Sequence, residues 1–103
     1  MQVFKFGGAS IKDAASIRNV LKIVSDFKEN ELLIVISAAG KITNALEIVL
    51  NDFYHGNTEQ AMKGLDEVKD FHLKIMSELF EDHHPVYAEV NDLFVDVVWL
   101  LEE

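Results

Sequence analysis

The amino-acid sequence predicts an α/β fold, in which a βαβ unit opens the chain and a helical segment follows it. Two short β-prone runs, residues 2–6 and 32–36, enclose a stretch whose apolar residues recur at helical spacing. From about residue 43 onward the apolar pattern is helical throughout. Because strands joined by a helical crossover run side by side in the same direction, the two strands are expected to be parallel.

Composition and charge exclude several classes of protein and of partner. The chain has 103 residues, of which half are hydrophobic and 26% charged, so we expect a single domain over residues 1–103. A net charge of −9 argues against nucleic acid or an anionic membrane as the main partner. The lack of cysteine excludes disulfides and cysteine-bound zinc. No signal-peptide pattern or membrane-spanning apolar run is present, so a cytoplasmic location is expected.

The first predicted strand runs from Gln2 to Phe6, an apolar segment that stops at a pair of glycines. Asp13 has the residue type and position of a helix N-cap. The apolar residues after it recur at helical spacing: Ile17, Val20, Leu21 and Val24. An amphipathic helix is therefore predicted from Asp13 to about Lys28.

The second predicted strand, Leu32 to Ile36, contains only leucine, isoleucine and valine. A strand with one wet face would alternate apolar and polar residues, and this strand does not. We therefore expect it to be buried on both faces. Residues 1–50 then comprise the βαβ unit, its loops and the helix that follows.

Three further helices are predicted in the rest of the chain. The first runs from about Thr43 to Tyr54, the second from a Thr58 cap to about Phe80, and the third from Pro85 through Leu100. The last two form a predicted helical hairpin over residues 58–102. Packing between them explains an apolar stripe at helical spacing: Leu65, Val68, His72, Ile75 and Leu79.

The loop after the first strand is the first candidate site. In KFGGAS, residues 5–10, two adjacent glycines let the backbone turn several N–H groups toward one anion. A tight turn needs the same glycines, so the pair alone does not identify a site. Lys5 favours an anion, because a charge in a strand that looks buried is costly without a partner. Ser10 adds a hydroxyl donor at the far side of the loop.

The loop after the second strand is the second candidate site. It spans residues 37–44, SAAGKITN, and opens a helix whose amino end favours negative charge. Parallel strands place their carboxyl ends at one edge of the sheet, so both loops should lie side by side. An ordinary strand-to-helix turn capped by Thr43 would have the same residues, and that alternative stays open.

KFGGAS at residues 5–10 and VISAAGKITNAL at residues 35–46 together resemble the opening of the aspartate kinases, in the amino acid kinase family. Both blocks occur in the family's order and at the separation of its first βαβ unit. The resemblance implies the carbamate kinase-like fold of that family. Beyond Leu50 only the helical pattern is similar, to family members that carry a long helical insertion.

The resemblance also implies a reaction: ATP-dependent phosphorylation of L-aspartate to 4-phospho-L-aspartate, in the synthesis of lysine, threonine and methionine. Lys5 would be the catalytic cation, while Thr43 would hydrogen-bond the aspartate and Ser37 would line its pocket. The implied ATP-phosphate contacts are Lys5, Phe6, Gly7, Gly8, Ala9 and Ser10. Mg²⁺ would arrive with ATP, and neither a protein metal site nor a tightly bound cofactor is expected.

The sequence also departs from the family pattern. Ala9 replaces a threonine of many relatives, and the family's later acidic motif and nucleotide-binding half are missing. Glu102 and Glu103 lack the Gly-Glu context of that motif and are assigned no role. We therefore expect a truncated chain that is inactive alone. We also expect it to form a homo-oligomer through exposed sheet edges or apolar surface.

Two other functions remain as alternatives. The chain could be a non-catalytic helical interaction module, or a fragment of another amino acid kinase. A metal site at His83 and His84 is not expected, because adjacent side chains diverge and no second ligand pair is evident. His55 and His72 are isolated in the sequence and are expected to be solvated or partly packed.

Overall fold

A computed structural model describes residues 1–102, so Glu103 lies outside the described residues. The strands and helices are, in order, β1 (Gln2–Phe6), a 3₁₀ turn (Gly8–Ile11), α1 (Ala14–Ser25), β2 (Leu32–Ile36), α2 (Ile42–Tyr54), α3 (Thr58–Leu79) and α4 (Val86–Glu102). The chain forms two compact units, of which the first is Met1–Thr43 and the second begins at Asn44. The mixed α/β composition and the order of elements agree with the sequence prediction.

The first unit is a βαβ unit with parallel strands, as predicted. β1 pairs with β2 in a register that places Gln2 beside Leu32 and Phe6 beside Ile36. The amide of Gln2 donates a hydrogen bond to the carbonyl oxygen of Glu31 over 2.9 Å and fixes the start of the sheet. Parallel pairing follows from the short crossover through α1.

α1 begins where the sequence predicted and ends earlier. The side chain of Asp13 accepts a 2.8 Å hydrogen bond from the amide of Ser16, which confirms the N-cap. The helix stops at Ser25 instead of near Lys28. Its last turn tightens into i to i+3 hydrogen bonds, such as that from the Phe27 amide to the Val24 carbonyl at 3.0 Å.

The core of the first unit lies between β1 and α1. Its buried side chains are Phe6, Ile11 and Val20. Four partly buried side chains pack around them: Phe4, Ile17, Val24 and Ala39. No residue of β2 belongs to this cluster. α1 therefore covers β1 and leaves β2 largely exposed.

The expectation that β2 is buried on both faces is wrong for this chain. Four of its residues are exposed: Leu33, Ile34, Val35 and Ile36. Within residues 1–102 the sheet has only two strands, so β2 lacks a neighbour on its outer edge. An unbroken apolar run predicts burial only where other strands and helices are present to cover it.

The second unit is a set of packed helices. Its buried centre is Val49, Ala61 and Leu65, with Phe53, Phe94, Val98 and Leu101 packed around it. A β-carbon on Gly64 would lie 3.0 Å from the Val49 side chain, so glycine lets α2 approach α3 closely. The turn between these helices contains Gly56, whose φ of +80° is a backbone conformation that favours glycine.

α3 and α4 pack against each other, as the apolar stripe predicted. Leu65, Val68 and Ile75 are buried, and the His72 ring lies 6.1 Å from the ring of Phe94 on α4. The side chain of Lys69 donates a 2.9 Å hydrogen bond to Asn91 across the same interface. The stripe is therefore a packing surface and is not free for a partner.

Truncation of Leu65 should test how much this packing stabilises the second unit. Leu65 is 2% exposed, so Leu65→Ala is expected to lower the free energy of unfolding by about 2–5 kcal/mol, because it removes buried methyl groups and leaves a cavity. Urea denaturation followed by far-UV circular dichroism measures the loss. Leu93→Ala on α4 is the matched control, since Leu93 is 65% exposed. A similar loss in both variants would contradict the described core.

Candidate functional site

Two loops meet at the carboxyl ends of the parallel strands. The first follows Phe6 and the second follows Ile36, and these two residues are partners in the sheet. Residues 7–10 and 37–43 are therefore brought to one edge, as the sequence predicted. The geometry of this edge depends on how closely the two loops approach.

Backbone hydrogen bonds join the two loops directly. The amide of Gly40 donates to the carbonyl oxygen of Gly8 over 2.9 Å. The amide and hydroxyl of Ser37 both donate to the Phe6 carbonyl oxygen, over 3.1 and 3.3 Å. These bonds set the spacing between the loops without any charged side chain.

Glycine is required at two positions of this contact. A β-carbon on Gly8 would clash with the carbonyl oxygen of Gly40 and lie 3.0 Å from that of Ala38. Gly40 itself has a φ of +54°, in the left-handed region. Gly7 differs from both, since its φ is −80° and a β-carbon there would meet nothing within 4 Å. The Gly7 side of the loop is therefore open to an approaching molecule.

The first loop presents backbone donors. It forms a 3₁₀ turn, in which the amide of Ser10 donates to the carbonyl oxygen of Gly7 over 3.0 Å. The amides of Gly8 and Ala9 precede this first bond and have no partner inside the turn. The side chains of Ala9 and Ser10 are exposed. This local geometry is compatible with anion binding by these groups, which stays a prediction.

Phe6 has a structural role at this edge. Its ring is buried in the core between β1 and α1, and its carbonyl oxygen accepts both hydrogen bonds from Ser37. Its backbone therefore holds the second loop in place. A contact between Phe6 and a phosphate group remains a prediction from the family resemblance.

Lys5 is exposed, although the sequence argument treated it as a charge in a buried strand. It lies on the face of the sheet opposite Phe4 and Phe6, because side chains alternate along a strand, and α1 covers that other face. In this chain water can solvate the ammonium group, so burial does not require an anionic partner. A role of Lys5 at the neighbouring glycine loop stays a prediction from the family resemblance.

Local charge at this edge has the opposite sign to that of the whole chain. Residues 5–10 and 37–43 contain two lysines, Lys5 and Lys41, and no acidic residue, whereas the chain carries −9 overall. Lys41 received no role from the sequence. The concentration of positive charge was visible in the sequence once both segments were considered together.

The second loop leads into α2, which begins at Ile42 and not at Thr43. The amide of Ile42 donates to the Ala39 carbonyl oxygen over 3.1 Å, and its side chain is buried. Thr43 is therefore a residue of the helix itself and not its cap. Ser37 and Thr43 are both exposed, and the Ser37 hydroxyl already donates to the Phe6 carbonyl oxygen.

The histidines have local structural contacts. The Nδ1 atom of His84 accepts a hydrogen bond from the amide of Val86 at 3.1 Å, at the start of α4, and its ring lies 4.6 Å from that of Phe80. Within residues 1–102, no three histidine, aspartate or glutamate side chains lie together as metal ligands would. In the same range, no helix is both long and apolar enough to span a membrane.

Substituting Gly8 and Gly7 in turn should show which of the two glycines the contact between the loops requires. Gly8→Ala is expected to lower the free energy of unfolding by about 1–3 kcal/mol, because the new methyl group meets backbone that cannot move freely. Gly7→Ala is the matched control and is expected to change it by less than about 0.5 kcal/mol. Urea denaturation measures both. If Gly7→Ala were the more damaging variant, the described contact between the loops would be wrong.

The chain is similar in sequence to known proteins over most of its length. The model of the amino acid kinase family matches residues 1–92. Aspartokinase 1, chloroplastic, of Arabidopsis thaliana is 29% identical over 93 residues, which are 88% of this chain and 16% of that protein. Aspartokinase 2, chloroplastic, of the same plant is 33% identical over 79 residues, 75% of this chain and 14% of that protein. The chain belongs to the amino acid kinase family.

Proposed function

We propose that this chain carries the phosphate-binding and aspartate-binding loops of an aspartate kinase, which transfers the γ-phosphoryl group of ATP to the side-chain carboxylate of L-aspartate. The single observation that carries the proposal is the pair of hydrogen-bonded loops at the strand ends, joined by the Gly40 amide and the Gly8 carbonyl. The similarity to two plant aspartokinases supports the choice of aspartate among amino acid substrates.

The first loop is proposed to hold the phosphates of ATP. The amides of Gly7, Gly8 and Ala9 and the hydroxyl of Ser10 supply donors, and the open side of Gly7 allows a phosphate to approach the backbone. Lys5 supplies positive charge for the transferring phosphoryl group. Mg²⁺ enters with ATP and offsets the charge of the phosphates.

The second loop is proposed to hold the amino acid. Thr43 donates a hydrogen bond to aspartate, and Ser37 lines the same pocket while its own hydroxyl contacts the Phe6 carbonyl. Lys41 adds a second positive charge near two anionic substrates. The aspartate carboxylate attacks the γ-phosphorus and ADP leaves, so these residues act by positioning and charge stabilisation, and no protein nucleophile forms a bond.

The complete reaction is proposed for a longer protein. The chain spans 14–16% of the length of the two aspartokinases that it matches. We propose that this chain binds ligands without turnover, and that the full enzyme acts in the cytoplasm in the synthesis of lysine, threonine and methionine. A phosphotransfer assay on the chain alone would read zero either way, so ligand binding is the informative measurement.

The alternative function is a non-catalytic helical interaction module. Its specific support is the exposed apolar surface of α4, where Leu93, Trp99 and Leu100 are each more than half exposed. A fragment of a different amino acid kinase is a second alternative, which differs only in the amino acid that the second loop accepts. Both alternatives are distinguished by the titration below.

Amide NMR of the isotope-labelled chain should detect the proposed sites. Mg-ATP is expected to shift the amides of Gly7 and Gly8, and L-aspartate those of Ser37, Gly40 and Thr43, with saturation in each case. The physical reason is that a ligand changes the hydrogen bonding of the amides that it contacts. Saturable shifts by another amino acid, but not by aspartate, would support a different kinase. Absence of any saturable shift in the folded chain would favour the interaction module.

Matched variants should assign the shifts to named side chains. Lys5→Gln is expected to weaken Mg-ATP binding by about tenfold, because a charge-assisted contact is lost. Lys22→Gln, which removes an equivalent charge from α1, should leave it unchanged. Thr43→Ala is expected to abolish the shifts by aspartate, whereas Thr58→Ala at the start of α3 should retain them. Equal effects of Lys5→Gln and Lys22→Gln on Mg-ATP binding would contradict the role of Lys5. Equal effects of Thr43→Ala and Thr58→Ala on the shifts by aspartate would contradict the role of Thr43.

A further inference from the structure

The side chain of Ser37 has a hydrogen bond that fixes its polarity. Its hydroxyl donates to the carbonyl oxygen of Phe6 over 3.3 Å, and its amide donates to the same oxygen over 3.1 Å. The acceptor is held in place, because the Phe6 ring is buried between β1 and α1 and Phe6 pairs with Ile36 in the sheet. Both hydrogen bonds are internal to the first compact unit, Met1–Thr43, and do not depend on what covers the outer edge of β2.

This hydrogen bond decides what the Ser37 oxygen can offer to a ligand. A serine hydroxyl has one proton to donate and two lone pairs that accept. With its proton directed at Phe6, the oxygen meets a ligand with lone pairs alone. It can then accept a hydrogen bond from an N–H group without losing the existing bond. A hydroxyl that already donates is also a better acceptor, because linked hydrogen bonds polarise one another.

A carboxylate at the same position would gain less. To donate to a carboxylate, the hydroxyl would have to rotate and give up its bond to Phe6. A new hydrogen bond would then replace an existing one, whereas an ammonium group adds a bond and leaves the first in place. Ser37 therefore favours the ammonium group of an amino acid over either carboxylate of a dicarboxylic one.

Few other side chains at this edge can accept a hydrogen bond from an ammonium group. Residues 5–10 and 37–43 contain two lysines, no acidic side chain and no side-chain amide. Their side-chain acceptors are three hydroxyls, those of Ser10, Ser37 and Thr43. Within residues 1–102, only the Ser37 hydroxyl among these three has a protein acceptor for its proton. The other two are able to donate, which suits phosphate and carboxylate oxygens.

The second loop therefore differs in polarity between its two ends. Ser37 at its start supplies an acceptor, while Lys41 and Thr43 near its end supply a positive charge and a donor. L-Aspartate carries one ammonium group and two carboxylates. With the ammonium group at Ser37, both carboxylates are left to the cationic and hydroxyl groups of the loops.

We infer that the Ser37 oxygen accepts a hydrogen bond from the α-ammonium group of the amino-acid substrate, and that this contact selects an amino acid over a dicarboxylate without an amino group. The inference rests on the proposed function, because it assigns a contact within the proposed amino-acid site. It goes further than that function, since it names the ligand group that Ser37 meets and the direction of the hydrogen bond.

Titration with L-aspartate and with succinate tests the contact, because succinate keeps both carboxylates and lacks the ammonium group. Amide NMR of the isotope-labelled chain gives both dissociation constants from the saturable shifts of Gly40 and Thr43. The unsubstituted chain is expected to bind L-aspartate about tenfold more tightly than succinate. Ser37→Ala is expected to weaken L-aspartate about tenfold and to change succinate by less than about twofold, since only an ammonium group uses the lost acceptor.

Two further variants control for an indirect effect on the loop. Ser37→Thr keeps the hydroxyl, and threonine is well suited to a strand end, so this variant should retain the preference for L-aspartate. Ser10→Ala removes a hydroxyl from the first loop and should leave the ratio of the two dissociation constants unchanged. A purely structural role of Ser37 would weaken both ligands equally in Ser37→Ala and would overturn the inference.

The outcomes separate this contact from the proposed function. If the unsubstituted chain binds L-aspartate, but Ser37→Ala weakens succinate as much or changes neither ligand, the contact is wrong and the amino-acid site stands. If the unsubstituted chain shows no saturable shift with L-aspartate, the amino-acid site itself is wrong and the contact fails with it. Weaker binding of L-aspartate alone supports both.

Discussion

The hydrogen bond from the Gly40 amide to the Gly8 carbonyl is the contact on which the candidate site depends. Parallel pairing brings the ends of both strands to one edge, but pairing alone leaves the loops free to diverge. This bond closes the gap, and it forms only because Gly8 has no β-carbon and Gly40 adopts a positive φ. The two loops therefore lie against each other, and backbone contacts set their spacing.

Charge at this surface works against the field of the chain. Lys5 and Lys41 lie in segments without acidic residues, while acidic residues outnumber basic ones by 18 to 9 overall. A local positive surface on a negatively charged molecule attracts anions only at short range, within about 10 Å at moderate ionic strength. Backbone amides add fixed dipoles that salt screens less when a ligand is in direct contact. Binding would then depend on the shape of the loops more than on long-range attraction.

The sequence predicted most elements because local signals and tertiary structure agree in them. Asp13 caps α1, glycines end β1, and the stripe that includes Leu65 packs between helices. The failures share a cause. The exposure of β2 and of Lys5 depends on which strands and helices cover the sheet. An apolar run in the sequence indicates only that a strand is suited to burial. The contact between Gly8 and Gly40 also lay beyond sequence reasoning, which identified both loops but not the atoms that join them.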